Sequence, residues 1–200
     1  QGMDYHCTIS SMDEHQVVVS VNSSVPTISE PSVSVTLYQG LPKSDKMDSV
    51  VQKAVEMGVT RIVPMLTQRC VSRPDQKSAQ KKVERWQKIS FEAAKQCGRG
   101  ILPPVSPLTD FSAALRQSAS ESTVLFFYEG GGQSLQQCID SSCKAYSIFI
   151  GPEGGFSEEE VQFALDLGAK KATLGPRILR TETAPVAALA AIMLTTGNMT

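Results

Sequence analysis

Histidine is nearly missing from this chain of 200 residues: there are two, His6 and His15, both within the first fifteen positions. A histidine-based triad or a histidine-ligated metal is thereby excluded from the body of the chain. Any general base there has to be a carboxylate, a lysine, a tyrosine, the substrate or water. The five cysteines (Cys7, Cys70, Cys97, Cys138 and Cys143) are scattered, with no Cys-x-x-Cys. Neither a disulfide framework nor a structural zinc site is expected, no metal is implied, and a reducing, cytoplasmic setting fits. No apolar run reaches the roughly 18 residues of a membrane span. The opening QGMDYHCTISSMDEHQ lacks the basic and apolar regions of a signal peptide, and the start at Gln1 without Met suggests a fragment. There is no G-x-x-x-x-G-K-[ST], which excludes a P-loop. EGGGQS and GPEGGF do not make G-x-G-x-x-G after the first strand, so a nicotinamide dehydrogenase is poorly supported.

What is present suits a globular domain with an appendage: 41% hydrophobic and 20% charged residues. The net charge of −1 conceals an uneven distribution. Residues 1–39 carry four acidic and no basic side chains, residues 40–100 carry 13 Lys/Arg against 6 Asp/Glu, and residues 101–200 carry 6 against 10. The central block suits a local phosphate-binding surface or a solvated helix face, and charge alone does not choose between them.

YHCTI at 5–9 and QVVVSV at 16–21 read as two strands, too few for a stable domain. They are expected to end a small β-domain, with a Ser/Pro-rich linker at 21–32 and a domain boundary between 30 and 31. From residue 33 the pattern alternates. Strands are expected at 34–39, 60–65, 122–129, 145–151 and 170–175, and helices at 44–57, 77–97, 110–117, 133–139, 157–167 and 183–196. This alternation predicts an α/β fold with a mainly parallel sheet. Ser157 and Glu160 form a capping box. The last helix is apolar nearly all round and belongs in the core or in an interface.

Three strands end in unusual loops: FFYEGGG, FIGPEGGFS and TLGPRILRTET. In open parallel sheets, ligands bind beyond the carboxyl ends of the strands. Glycine lets backbone approach a ligand closely, and proline stiffens the same loop. Such a set suits a flat adenine and a ribose.

LPKSDKMDSVVQKAVEMGVTRIVPMLTQRCV, KKVERWQKISFEAAKQCGRG, IGPEGGFSEEE at 150–160 and LGPRILRTETA at 174–184, in this order along the chain, resemble the bacterial 16S ribosomal RNA uridine-N3 methyltransferases of the SPOUT class. The resemblance covers about residues 33–198. It implies a SPOUT-type α/β knot, a deep C-terminal trefoil, with residues 1–30 similar to the end of a PUA-like barrel. It also implies S-adenosylmethionine held by Phe127, Tyr128, Glu129, Gly151, Pro152, Glu153, Gly154, Gly155, Leu174, Gly175, Ile178, Leu179, Arg180 and Thr181. A homodimer packed through the knot and the last helix is implied, as is 16S rRNA of the small subunit as substrate.

Uridine N3 must lose a proton before it can attack a methyl group. Glu182 is the expected base, or else it holds Arg180 or Arg177 by an ion pair. Arg180 is the expected cation for the uracil anion. Lys43, Lys46, Arg69, Arg99 and Arg177 are expected RNA contacts, Glu153 a loop brace, and Trp86 a core residue. A ribose 2′-O-methyltransferase of the same class, or a non-catalytic RNA-binding assembly factor, remain as alternative readings.

Overall fold

Short runs rich in Val, Ile and Phe form the central strands of the main sheet, and in the computed structural model, which describes residues 1–140 and 142–199, these central strands are mostly buried. β1 (Met3–Met12) and β2 (Val17–Pro26) form a hairpin. Then follow β3 (Ser34–Gly40), α1 (Lys46–Glu56), β4 (Arg61–Leu66), α2 (Gln76–Gln96), β5 (Thr109–Asp110) and α3 (Phe111–Glu121). β6 (Thr123–Phe127), β7 (Gln133–Ser134), α4 (Leu135–Cys138), β8 (Ala145–Ile150), α5 (Glu158–Asp166), β9 (Lys170–Thr173) and α6 (Ala184–Thr195) complete the chain.

The main sheet has seven strands in the order β5-β4-β3-β8-β6-β9-β7, and every pairing in it is parallel. Parallel strands need both faces covered, and strand alternation builds the two cores. Tyr146, Ile148 and Ile150 of β8 join Val35, Leu37 and the buried stripe of α1 on one face. Phe149 points the other way, into Tyr38, Phe111, Phe126 and Phe156. There Tyr38 and Phe149 stack with centroids 4.4 Å apart. Trp86 is buried, as expected of a core residue, and its indole N–H donates to Asp48 Oδ1 at 3.1 Å, pinning α2 to α1.

The hairpin differs from expectation in length. β2 runs on to Pro26, five residues past the expected strand end at 21 and into the segment that reads as linker, because cross-strand pairs continue to Met3↔Pro26. Pairing with a neighbour outweighs the Ser/Pro composition of the strand. All twenty hairpin residues are exposed, Tyr5 and Ile9 among them. The segment is tied to the sheet domain by Gly2 N–H donating to Gly100 O at 2.9 Å and Ser29 Oγ donating to Gly98 O at 2.8 Å.

Arg99 corrects a sequence expectation. Its side chain is only 3% exposed and pairs with Glu30 at 2.6 Å. The guanidinium also donates to the carbonyls of Val55 and Val59 at the end of α1. A side chain with all its donors turned inward is not placed to meet RNA; it fastens the 27–32 segment to the domain. Removing one member of a buried pair leaves the other charge uncompensated. Arg99→Ala is therefore expected to lower stability by about 3–5 kcal/mol in urea unfolding. At temperatures where the variant stays folded, its RNA affinity should match the parent; a selective loss of RNA binding without loss of stability would overturn this placement.

Candidate functional site

The carboxyl ends of β6, β8 and β9 open into a single cavity of about 650 Å³, inside the roughly 300–1,000 Å³ range typical of small-molecule sites. Three loops wall it, those after Phe127, Ile150 and Thr173, and these are the loops expected from the sequence. Every residue expected in the cradle lines the cavity except Gly154. Gly154 turns outward: its carbonyl accepts from Arg69 Nη1 at 3.0 Å. Arg177, expected on RNA, also lines the cavity, as do Lys46 and the backbone of Gly131 and Gly132.

Two loops are locked together by one carbonyl. Gly151 O accepts from Thr181 Oγ1 at 2.7 Å and from Gln39 Nε2 at 3.4 Å. Gln39 Nε2 also reaches Thr181 Oγ1 and Gly40 O, each at 3.0 Å. Gln39 is fully buried, and its Oε1 has no hydrogen-bond partner among the described residues. Its place at the end of a buried strand among apolar residues is the signal that could have marked it; sequence reading passed over it.

Close backbone approach explains two glycines. A Cβ on Gly40 would stand 2.5 Å from Pro152 Cδ, so the end of β3 and the Pro152 loop touch only because no side chain intervenes. Gly155 has φ of +66°, and a Cβ there would stand 2.7 Å from the Glu129 carboxylate. The Glu129 carboxylate thus lies against the backbone of the second loop, at the cavity wall.

α5 begins with the expected capping box: Ser157 Oγ accepts from Glu160 N–H, and Glu160 Oε2 accepts from Ser157 N–H at 2.9 Å. Glu160 does more than cap. Its Oε1 accepts from Gln68 N–H at 2.8 Å, which joins the loop after β4 to the loop after β8. Arg69 reinforces the same junction through Gly154.

The charged cluster at the cavity centres on Lys46, at the start of α1. Its Nζ lies 3.0 Å from Glu153 Oε1 and 3.2 Å from Glu182 Oε2. Hydrogen bonding to Glu153 raises the Lys46 pKa, burial opposes this, and Glu182 adds to the rise, so the ammonium stays charged. Burial works against ionisation of Glu153, but hydrogen bonds from its own backbone, Lys46 and the Lys43 N–H outweigh it and hold its carboxyl below the usual range. The Lys43 contact is a backbone one, at 3.2 Å, and its side chain is exposed.

Glu182 does have an ion-pair partner, but it is Lys46 rather than Arg180 or Arg177. The contact has ion-pair distance without hydrogen-bond angles, leaving Oε2 buried and unbonded. Among the described residues Arg177 and Arg180 form no ion pair, and both are exposed at the rim. Among the same residues no cluster of His, Cys, Asp and Glu has the makings of a metal site, and no helix is long and apolar enough to cross a membrane.

Comparison with known proteins bears on this geometry. The model of the RNA methyltransferase domain matches residues 29–193. Ribosomal RNA small subunit methyltransferase E of Bacillus subtilis (strain 168) is 35% identical, with 96% of this chain covering 77% of that protein. The protein of the same name from Aquifex aeolicus (strain VF5) is 32% identical, at 96% and 82% coverage. The crystal structure of ribosomal RNA small subunit methyltransferase E from Neisseria gonorrhoeae bound to S-adenosyl methionine superposes with a TM-score of 0.87 at 37% identity. That match covers 96% of this chain and 79% of the solved one.

Gly40→Ala tests the packing of the cradle. The added methyl must displace Pro152, and the Gly151 carbonyl with it. Calorimetric titration with S-adenosylhomocysteine is expected to show at least about a tenfold loss of affinity, roughly 1.4 kcal/mol. Parent-like affinity would mean that the β3–Pro152 contact does not shape the cavity.

Proposed function

This chain belongs to the RNA methyltransferase domain family, within its ribosomal RNA small subunit methyltransferase E branch, and on that premise we propose that it methylates uridine N3 in 16S rRNA of the small subunit, using S-adenosylmethionine. The observation that carries the reading is the glycine-walled cavity at the ends of β6, β8 and β9. Its volume, its stiff backbone walls and its acceptors suit the cofactor. Phe127, Tyr128 and the Leu174–Thr181 loop would flank the adenine, Glu129 would accept from the ribose hydroxyls, and the Gly151–Gly155 loop would take the amino-acid end. When bound, S-adenosylmethionine supplies an electrophilic methyl group.

The chain's own part is to position uridine and move one proton. Glu182 is the acceptor for the N3 proton, on the support of its carboxylate oxygen left without a hydrogen bond. Lys46 stands 3.2 Å from that carboxylate and holds it in place. Arg180, exposed and unpaired at the cavity rim, stabilises charge on the uracil oxygens, and Arg177 beside it contacts the RNA. Fixing these groups before the base arrives is where most of the rate comes from in a reaction of this kind.

The same reading extends to architecture. Residues 1–30 belong to a PUA-like β-domain, supported by an exposed two-stranded hairpin too small to stand alone. The chain forms a trefoil knot: β9 pairs outside β6, yet Thr181 returns to Gly151 at the end of β8 and α6 packs on α1. A second copy covers the outer face of α6, where Leu194 is 63% exposed and no charged residue stands. The enzyme works in the cytoplasm as this homodimer. A crystal structure of the full chain with S-adenosylhomocysteine tests these points; an unthreaded connection or a monomer with α6 in solvent would overturn them.

Two measurements test the chemistry. Nucleoside analysis of 16S rRNA treated with the full chain should yield 3-methyluridine, and a ribose methyl in its place would sink the assignment. Lys46→Met leaves Glu153 and Glu182 facing each other without a cation. Loss of a neighbouring positive charge raises a carboxylate pKa. The acid limb of the pH–rate profile should therefore move to higher pH, with Glu182→Gln losing turnover across the range while still binding S-adenosylhomocysteine. An unmoved limb in Lys46→Met would remove the cluster from proton transfer.

A further inference from the structure

We infer that the outer face of α2 is a phosphate-tracking surface for the RNA strand that flanks the target nucleotide. The inference rests on the methyltransferase reading above and deepens it. α2 follows β4 and so starts on the side of the sheet where the strands' carboxyl ends and the cavity lie, and Arg69 in the intervening loop donates to Gly154 O on the outer side of a cavity loop. From there 21 helical residues run away from the site, a length of about 32 Å at 1.5 Å per residue.

Lys77, Lys81, Lys88 and Lys95 stand on one stripe of this helix. At 100° per residue their directions fall within about 40° of one another. All four are exposed, and none is in an ion pair with a described residue. Two glutamates, Glu84 and Glu92, lie within helical reach of this stripe; Glu84 instead accepts from Gln80, and neither pairs with a lysine. The spacings of four and seven residues place successive ammonium groups about 6 and 10 Å apart along the axis. Beside them Phe91, 51% exposed, offers a flat apolar face on the same side of the helix. The opposite side of α2, with Trp86, Ser90, Ala93 and Ala94, is spent on the core.

Most of the remaining basic block is engaged, with Lys43, Arg61 and Lys82 the exceptions among the described residues. Arg85 pairs with Asp48, Arg99 with Glu30, Lys46 with Glu153 and Glu182, and Arg73 donates to the carbonyls of Thr67 and Gln68. What stays free is a row of unpaired cations with one aromatic, leading away from a cavity rim. A backbone-tracking cationic row with an aromatic for base stacking is the chemistry of sequence-tolerant RNA binding. An acidic protein partner would use the same cations but would have no use for position relative to the cavity.

The test measures binding of a single-stranded RNA oligonucleotide by fluorescence anisotropy over a range of salt, with the full chain and with Lys77→Gln/Lys81→Gln/Lys88→Gln/Lys95→Gln. Each lost phosphate contact on a single strand flattens the slope of log K against log salt by about 0.7, so the quadruple variant should lose about 3. Phe91→Ala should weaken binding with the slope unchanged. S-adenosylhomocysteine affinity should stay at the parental value in both, which shows that the fold and the cavity are intact. An unchanged slope and affinity in the quadruple variant would overturn the surface while leaving the methyltransferase reading in place. A parent that binds neither S-adenosylhomocysteine nor RNA would overturn that reading, and the surface with it.

Discussion

The cavity is held in shape by one part-buried carbonyl, that of Gly151, shared between two side chains from distant parts of the chain. Thr181 closes on it from the loop after β9, and Gln39 from the end of β3. Each such bond has a net worth of only about 1 kcal/mol, and the buried Gln39 amide that makes one of them would lose that acceptor if the loops parted. The three segments are therefore held by what they would lose in separating. A cradle fixed in this way has little ordering left to do when a ligand arrives. The unsatisfied Gln39 Oε1 is the standing cost of the arrangement. A leucine there would spare that cost and cut the tie.

The elements of the sheet domain were legible because their pattern is that of a parallel sheet: short apolar runs with no polar alternation, separated by amphipathic helices. α1, with Met47, Val50, Val51, Ala54 and Val55 inward, is as its periodicity predicts. The three glycine-rich loops were legible too, since a strand followed by Gly and Pro announces a rigid turn. Contacts between distant segments were not. Nothing in the order of residues says that Lys46, at the start of α1, stands between Glu153 and Glu182, or that Glu182 turns to it instead of to Arg180 two positions away. The run of β2 to Pro26 was hidden for the same reason: a Ser-rich segment becomes a strand when a partner strand lies beside it.

Charge was legible in amount and misleading in place. The excess between residues 40 and 100 is real, yet its arginines and its lysines have divided the work. Arg69, Arg73 and Arg99 all donate to backbone carbonyls, and Arg85 and Arg99 pair with carboxylates. A planar fork with five donors can satisfy several fixed acceptors at once, whereas an ammonium is strongly hydrated and is held less well. All of the block's arginines but Arg61 were thus drawn into the structure, and the free cations of α2 are all lysines. A count of basic residues cannot separate these uses, because both raise it equally.

The same division by sign shapes the cavity. Glu129, Glu153 and Glu182 stand at its wall or just behind it, against a single interior cation, Lys46. Arg177 and Arg180 line the cavity from its exposed rim, on the loop after β9. On the proposed reading this order has a use. A sulfonium is a cation with no hydrogen to donate, and it is welcomed by surplus negative charge, not by a directed bond. The RNA backbone and a uracil that is losing its N3 proton are anions, and they are met by the rim. An interior made less negative by a second lysine would hold the uridine anion better and the sulfonium worse. Lys46 sits at the balance point: one cation is enough to bring two carboxylates within reach of each other, and too few to cancel them.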